Sequence, residues 1–216
     1  MEQIVPGLYA SLPEPLSFAP ELHTRAFLLQ RPAGNLLVYV NGKVTESAAD
    51  IEALGGIDHH FLTHWHEAGM GAAEIERRFG APVRCHAADQ ERVQKEVVVS
   101  GTFKERHDFA DDLEIIPIPG HTPGATAILW HGPEEHRCLF TGDTVYLNGE
   151  WSVAVLESSN RDAYIESLAL IGSLKFDLLV PWLAPAGVQA TSPVSRDMVR
   201  HTLDAIIERV RAGART

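Results

Sequence analysis

Directly after a predicted strand over residues 57–62, the chain carries the stretch Thr63-His64-Trp65-His66-Glu67-Ala68-Gly69. Side chains two positions apart on an extended segment point to the same side, so His64 and His66 can face one metal ion. Imidazole is the commonest metal ligand in proteins near neutral pH. A His-x-His pair is weak evidence by itself in a chain with eleven histidines, so chance spacing stays open at this point.

Two later segments also end an apolar run at a side chain that can bind metal. The first is Pro119-Gly120-His121-Thr122-Pro123-Gly124, and the second is Thr141-Gly142-Asp143-Thr144. Proline fixes φ and glycine reaches positive φ, so the first loop is suited to hold His121 in one geometry. Gly142 permits a tight turn from which Asp143 emerges. Each of the three segments therefore offers a metal ligand at the end of a strand.

The order His-x-His, Gly-His-Thr-Pro-Gly, Thr-Gly-Asp-Thr resembles the metallo-β-lactamase superfamily, and within it the glyoxalase II-like hydrolases. The resemblance runs from about Phe27 to Ala186. It implies an α+β fold, a four-layer αββα sandwich in which two sheets pack on each other and helices cover both outer faces. The chain shows no linker, so we predict a single domain over residues 1–216.

The chain departs from the family pattern around the second metal site. The first family motif continues His-x-His-x-Asp-His, but here its last two positions are Ala68 and Gly69. Leu183 stands where the family has a late histidine, and the early hairpin runs into Asn41-Gly42 without the family's aspartate. Of the second-site ligands, only the bridging aspartate is kept. The resemblance therefore implies one divalent metal ion, zinc or alternatively iron, held by His64, His66, His121 and Asp143.

Such a site implies chemistry on a carbonyl. Three neutral imidazoles and one carboxylate leave the ion a net charge of about +1, which lowers the pKa of a bound water to roughly 7. Asp143, which ligates the ion or holds that water, is assigned the catalytic role. The leading hypothesis is a mononuclear metal-dependent hydrolase that attacks an ester, thioester or lactone through a metal-bound hydroxide.

Two alternatives stay open beside the hydrolase. One is a non-catalytic binding protein with the same fold, which the loss of three family ligands favours. The other is a mononuclear non-heme iron oxygenase resembling persulfide dioxygenases, because a 2-His-1-carboxylate set of His64, His121 and Asp143 suits Fe(II).

The overall composition narrows the class of partner. A formal net charge of −11 argues against nucleic acid and against an anionic membrane surface. The first residues do not form a secretory signal, and no apolar run reaches the roughly 18 residues of a membrane span. We therefore predict a cytoplasmic protein with a small-molecule substrate, and the oligomeric state stays open. Cys85 and Cys138 are interpreted as apolar thiols inside strands, with a disulfide as the alternative.

Several other residues are given a weaker interpretation. Glu67 is expected beside the metal ligands or on the surface, with a role as base or as substitute for the lost aspartate as a further option. Structural roles are expected for His59, His60 and His86, and either pocket or core positions for Trp65, Tyr146 and Trp151. The last helix is predicted to begin with Ser192 as its N-cap and Pro193 at its first position.

Overall fold

The computed structural model describes residues 1–214, so the last two residues of the predicted domain lie outside it. The strands of the first half are β1 (Glu2–Val5), β2 (Leu8–Ala10), β3 (Glu14–Leu16), β4 (Ala19–Thr24), β5 (Phe27–Leu29), β6 (Leu36–Val38), β7 (His59–Phe61), β8 (Val83–His86) and β9 (Val99–Phe103). Those of the second half are β10 (His107–Ala110), β11 (Leu113–Pro117), β12 (Thr126–His131), β13 (Arg137–Phe140), β14 (Tyr146–Asn148), β15 (Glu150–Ser152), β16 (Leu178–Val180), β17 (Leu183–Pro185) and β18 (Ser192–Pro193). The α-helices are α1 (Ala48–Ala53), α2 (Ala72–Phe79), α3 (Gln90–Val93), α4 (Arg161–Ser173) and α5 (Arg196–Arg211), and short 3₁₀ turns cover Val44–Ser47, Trp65–Met70 and Pro133–Glu135.

Two mixed sheets form the body of the molecule. The N-terminal sheet has the order β1-β2-β5-β6-β7-β8-β9, in which β6 to β9 run parallel. The C-terminal sheet has the order β10-β11-β12-β13-β16-β18, in which only β13 and β16 are parallel neighbours. A hairpin of β14 and β15 and a small sheet of β17, β4 and β3 complete the strands. The early hairpin that runs into Asn41-Gly42 is confirmed as the antiparallel pair β5–β6.

The side chains of each sheet alternate between two cores, as the period of a strand requires. In the N-terminal sheet, Phe27 packs between the sheets while its neighbour Leu28 packs under the helices of that half. In the C-terminal sheet, Phe140 packs between the sheets, and Leu139 packs in the cluster that includes residues of α4 and α5. These three cores separate four layers, which confirms the predicted αββα sandwich.

The start of the last helix is a correction to the sequence prediction. Ser192 and Pro193 form β18, which pairs antiparallel with β16, so Ser192 is not a helix cap. The cap is Ser195, whose hydroxyl accepts a hydrogen bond from the Met198 amide at 3.3 Å. Both serines carry the same local capping signal, and the hydrogen bond of the Val194 amide to the Asp177 carbonyl keeps the first serine in the sheet.

The two cysteines are free and buried, Cys85 in β8 and Cys138 in β13, as expected of apolar thiols. Burial raises the pKa of each thiol to about 12, so neither is a thiolate at neutral pH. Among the helices of residues 1–214, none has the length and apolar character that crossing a membrane requires.

Candidate metal centre

The three predicted ligand segments meet at one edge of the sandwich. His64 and His66 follow β7 of the N-terminal sheet, whereas His121 follows β11 and Asp143 follows β13 of the C-terminal sheet. A hydrogen bond from the Thr126 amide to the Thr63 carbonyl, 2.9 Å long, joins the two halves beside the site. The packing of the two sheets therefore brings together side chains that lie up to 79 positions apart in sequence.

The four predicted ligands form one compact cluster. Each offers a ligand atom, and these atoms all lie within 4.8 Å of one another. His66 Nδ1 is 3.0 Å from His121 Nε2, and Asp143 Oδ2 is 3.4 Å from His64 Nε2 and 3.7 Å from His121 Nε2. Three imidazole nitrogens and one carboxylate oxygen are a donor set that zinc accepts in a tetrahedral site.

The hydrogen bonds around the cluster leave the donor atoms facing inward. His121 Nδ1 donates to the Ala154 carbonyl at 2.7 Å, which fixes the tautomer with an Nε2 lone pair toward the cluster. His64 Nε2 and Asp143 Oδ1 are buried and have no hydrogen bond of acceptable geometry to any residue of 1–214. Buried polar atoms are ordinarily paired, so these two atoms fit a bound divalent ion and its water.

The charges of the cluster are tightly linked. Burial alone would lower the pKa of His64, but the carboxylates of Asp143 and Glu67 raise it to about 10. Burial, together with the charges of His64 and His121, lowers the pKa of His66 to about 3. Burial would raise the pKa of Asp143, but the neighbouring imidazoles lower it on balance. His64 is therefore the imidazole that must release a proton before it can ligate a metal ion.

Glu67 is fully buried, so the surface interpretation is wrong. Its Oε1 lies 2.8 Å from His64 Nδ1 and accepts hydrogen bonds from the backbone amides of Thr63, at 3.0 Å, and His64, at 3.2 Å. The Thr63 hydroxyl donates to the same oxygen. Because Nδ1 and Nε2 point to opposite sides of the ring, Glu67 holds the far side of His64 and is not a member of the ligand cluster.

Asp89 was not selected from the sequence, and it directly precedes helix α3. It is buried, and its Oδ2 accepts from the Trp65 amide at 3.0 Å and from the Thr122 hydroxyl at 2.7 Å. Its Oδ1 accepts from the Gly124 amide at 2.8 Å. One carboxylate thus joins the loop of the histidine pair to the loop of His121.

Two tyrosines fix the turn that carries Asp143. The Tyr39 hydroxyl donates to the Val180 carbonyl at 2.6 Å and accepts from the Gly142 amide at 3.0 Å. The Tyr164 hydroxyl of α4 donates to the Thr144 carbonyl at 2.7 Å. Gly142 has a φ of +54°, and a Cβ there would clash with the Thr63 hydroxyl. The turn therefore requires glycine both for its conformation and for its close approach to the histidine loop.

None of the three positions of the lost family ligands carries a side chain that can bind a metal ion. Ala68 packs in the core under the N-terminal sheet, and a side chain at Gly69 would point toward Glu96. Met70 and Leu183 line the cavity beside the cluster instead. Within residues 1–214, the only group of three or more histidine, cysteine or acidic side chains arranged to hold a metal ion is the cluster described above.

The remaining histidines near the strand ends have structural contacts, as expected. His60 is buried and its Nε2 donates to the Tyr39 carbonyl at 3.0 Å. His59 lies 3.2 Å from an Arg84 nitrogen, and His86 Nε2 contacts the Lys104 carbonyl at 3.0 Å. None of the three belongs to the ligand cluster.

The aromatic residues divide between pocket and core. Tyr146 lines the cavity at the cluster, and Trp151 packs in the core beneath α4 and α5. The ring of Trp65 packs at a tilt against that of His66, with centroids 3.8 Å apart, and the Arg92 guanidinium lies 4.4 Å from the Trp65 ring centroid. Trp182, which was not selected from the sequence, lines the cavity and packs edge-on against His64.

A sequence profile described as the metallo-beta-lactamase superfamily matches residues 52–181, which is more than half of the chain. The chain belongs to the metallo-beta-lactamase superfamily, a superfamily of metal-dependent hydrolases in which zinc is common.

Two relatives are 30% identical to this chain over part of its length. Both are named hydroxyacylglutathione hydrolase. The one from Anaeromyxobacter dehalogenans (strain 2CP-C) is 30% identical over 120 residues, which are 54% of this chain and 45% of the relative. The one from Pelagibacter ubique (strain HTCC1062) is 30% identical over 88 residues, which are 40% and 36% respectively. The chain thus matches less than half the length of either relative.

Solved structures agree with the fold. VMB-1 superposes with a TM-score of 0.74 at 16% identity, covering 99% of this chain and 97% of that one. The metallo-beta-lactamase DIM-1 gives a TM-score of 0.73 at 14% identity over 95% and 96%. An archaeal superfamily protein from Sulfolobus tokodaii gives 0.64 at 17% identity over 94% and 87%. At these identities the likeness concerns the fold alone.

Proposed function

We propose that this chain is a mononuclear metal-dependent hydrolase of an ester, thioester or lactone. The observation that carries the proposal is the cluster of His64, His66, His121 and Asp143, whose donor atoms lie within 4.8 Å of one another. The apolar surroundings of that cluster support one ion, because Met70 and Leu183 offer neither an imidazole nor a carboxylate for a second one.

A divalent ion bound there would lower the pKa of a bound water to about 7 and would polarise the carbonyl under attack. The chain's own residues supply the rest. His121 presents Nε2 because Ala154 holds its other nitrogen, and Glu67 does the same for His64. Asp143 Oδ2 faces the histidines, which leaves Oδ1 to accept a proton from the attacking water.

Elemental analysis of the purified protein tests the metal count. We expect about one equivalent of zinc per chain, lost in His121→Ala and kept in His201→Ala, whose histidine is exposed on α5. Two equivalents in the wild type would contradict a mononuclear site. Equal metal content in both variants would show that the cluster does not hold the ion.

Turnover of a panel of esters, thioesters and lactones by the metal-loaded protein tests the reaction. Hydrolysis that a chelator abolishes and added zinc restores supports the proposal. One equivalent of iron with oxygen uptake on a persulfide supports the oxygenase alternative instead. Bound metal without turnover of any substrate in the panel favours the non-catalytic alternative. We also propose a small-molecule substrate, a single domain and a cytoplasmic location. These measurements do not bear on those three proposals.

A further inference from the structure

A cavity of about 330 Å³ opens on the ligand cluster, and most of its wall is apolar. His66, His121 and Asp143 form its polar part, with Tyr146 beside them. A larger groove of about 640 Å³ lies elsewhere, along Trp130, and includes none of the ligands. The smaller cavity is therefore the space that a substrate of this site would occupy.

The rest of the cavity wall is hydrocarbon. It includes the side chains of Leu16, Phe18, Leu22, Met70, Leu156 and Leu183. In the part of the chain that the structure describes, no lysine or arginine lines this cavity. A substrate carboxylate that lies along this wall, away from the ion, would thus lose water without gaining a lysine or arginine partner, which is costly in a largely apolar site.

The mouth of the cavity is also apolar. Phe18 is 84% exposed at the tip of the β3–β4 hairpin, and Leu156 is 40% exposed, yet both line the cavity. Large exposed apolar side chains grouped at the rim of a pocket mark a binding surface for an apolar ligand. An occupant that extends past the cluster would cover both side chains.

The volume limits the occupant's size. If each non-hydrogen atom takes roughly the 30 Å³ of a water molecule, the cavity has room for about ten of them. This fits a carbonyl at the cluster and an unbranched chain of moderate length along the apolar wall.

We propose that the cavity binds the apolar acyl chain, of about six to ten carbons, of an uncharged ester or thioester, and selects against substrates that carry carboxylates. The inference rests on the proposed hydrolase function and goes beyond it by naming the acyl group. It also separates this chain from the substrate that the names of its relatives state, because a glutathione thioester carries two carboxylates and two amides.

Chain-length dependence of hydrolysis tests the acyl group. The zinc-loaded protein is assayed with p-nitrophenyl acetate, butyrate, hexanoate and octanoate and with a hydroxyacylglutathione thioester. Each buried methylene is worth about fourfold, so we expect kcat/KM to rise at least about tenfold from butyrate to octanoate. The glutathione thioester is expected to be the poorest acyl donor relative to its uncatalysed rate.

Two variants at exposed apolar residues test where the acyl chain of the substrate binds. Phe18→Ser is expected to lower kcat/KM for octanoate several-fold more than for acetate, through KM, whereas Val98→Ser is expected to change neither. Val98 is 66% exposed and lies outside the cavity, so it controls for loss of an exposed apolar side chain. Binding of octanamide, followed by calorimetry, gives a readout that does not depend on turnover.

The outcomes separate the two proposals. Hydrolysis without a chain-length preference, or fastest hydrolysis of the glutathione thioester, overturns the inference and leaves the hydrolase standing. If no ester is hydrolysed but octanamide binds, and Phe18→Ser weakens that binding, the hydrolase proposal is overturned. The proposal that the cavity binds an apolar chain then stands. Absence of both hydrolysis and octanamide binding overturns both.

Discussion

Replacement of Glu67 tests how His64, the first of the proposed metal ligands, is held in position. In Glu67→Ala, the Nδ1 group of His64 and the backbone amides of Thr63 and His64 all lose the oxygen that accepts from them. Partners of metal-binding histidines typically contribute 10–100-fold to metal affinity. Because this carboxylate is fully buried and lies 2.8 Å from Nδ1, we expect a loss near the upper end, about 100-fold.

Glu67→Gln separates charge from geometry. The amide oxygen can still accept from the same donors, but a hydrogen bond to a neutral group is weaker than one to a charged group by about 1.4 kcal/mol, which is about tenfold. Loss of the carboxylate also reduces the upward shift of the His64 pKa, so less proton competition opposes metal binding near neutral pH. The affinity loss in both variants should therefore be larger at pH 9 than at pH 7.

The assay is competition for zinc against a chromophoric chelator, well below the unfolding temperature, with folding checked by circular dichroism. Glu96→Ala is the control, because Glu96 is an exposed acidic residue close to Gly69 and outside the cluster. If folded Glu67→Ala binds zinc within about threefold of the wild type at both pH values, Glu67 does not position His64, and its contacts serve only the local backbone.

Three further changes test the surroundings of the site. Tyr39→Phe removes the hydroxyl that pairs with the Val180 carbonyl and the Gly142 amide. Urea denaturation should therefore show a loss of about 1–3 kcal/mol in the free energy of unfolding, and no loss would mean that the hydroxyl is dispensable. Gly142→Ala should lower the melting temperature more than Gly149→Ala does. Both glycines have positive φ, but only at Gly142 would a Cβ clash with a neighbouring side chain. Equal melting temperatures would contradict the close approach at Gly142. Burial lowers the pKa of His60 to about 4 from 6.5, so the unfolded chain binds this proton first as pH falls, and stability present above pH 6.5 is lost toward pH 4. Relative to His60→Gln, the wild type should lose on the order of 3 kcal/mol more over that range, and identical pH profiles would show that His60 is not held neutral.

Much of the site could be predicted because its signals are local. The ligands His64, His66, His121 and Asp143 each end an apolar strand, and glycine or proline stands beside the last two. The sandwich followed from the resemblance that these segments carry. The prediction that these four residues bind a single metal ion stays a prediction, although the structure brings all four together.

The supporting contacts could not be predicted, because they join segments that are distant in sequence. Tyr39 reaches a loop 103 positions away, and Asp89 joins two loops 24 and 35 positions from it. No local pattern distinguishes such an aspartate from an ordinary residue at the start of a short helix. Strand β9 is also hard to predict, because its residues are half-buried or exposed and form no apolar run.

By itself, the sequence determined which donor atoms are available: three imidazoles and a carboxylate, with no ligand at positions 68, 69 and 183. Only the tertiary structure decided what fills the space around them. Ala68 turns into the core and Gly69 toward Glu96, while Met70 and Leu183 face the cavity. The direction of a side chain depends on the backbone of its turn and on the layer packed against it. The apolar wall beside the cluster is therefore a product of how the two sheets meet.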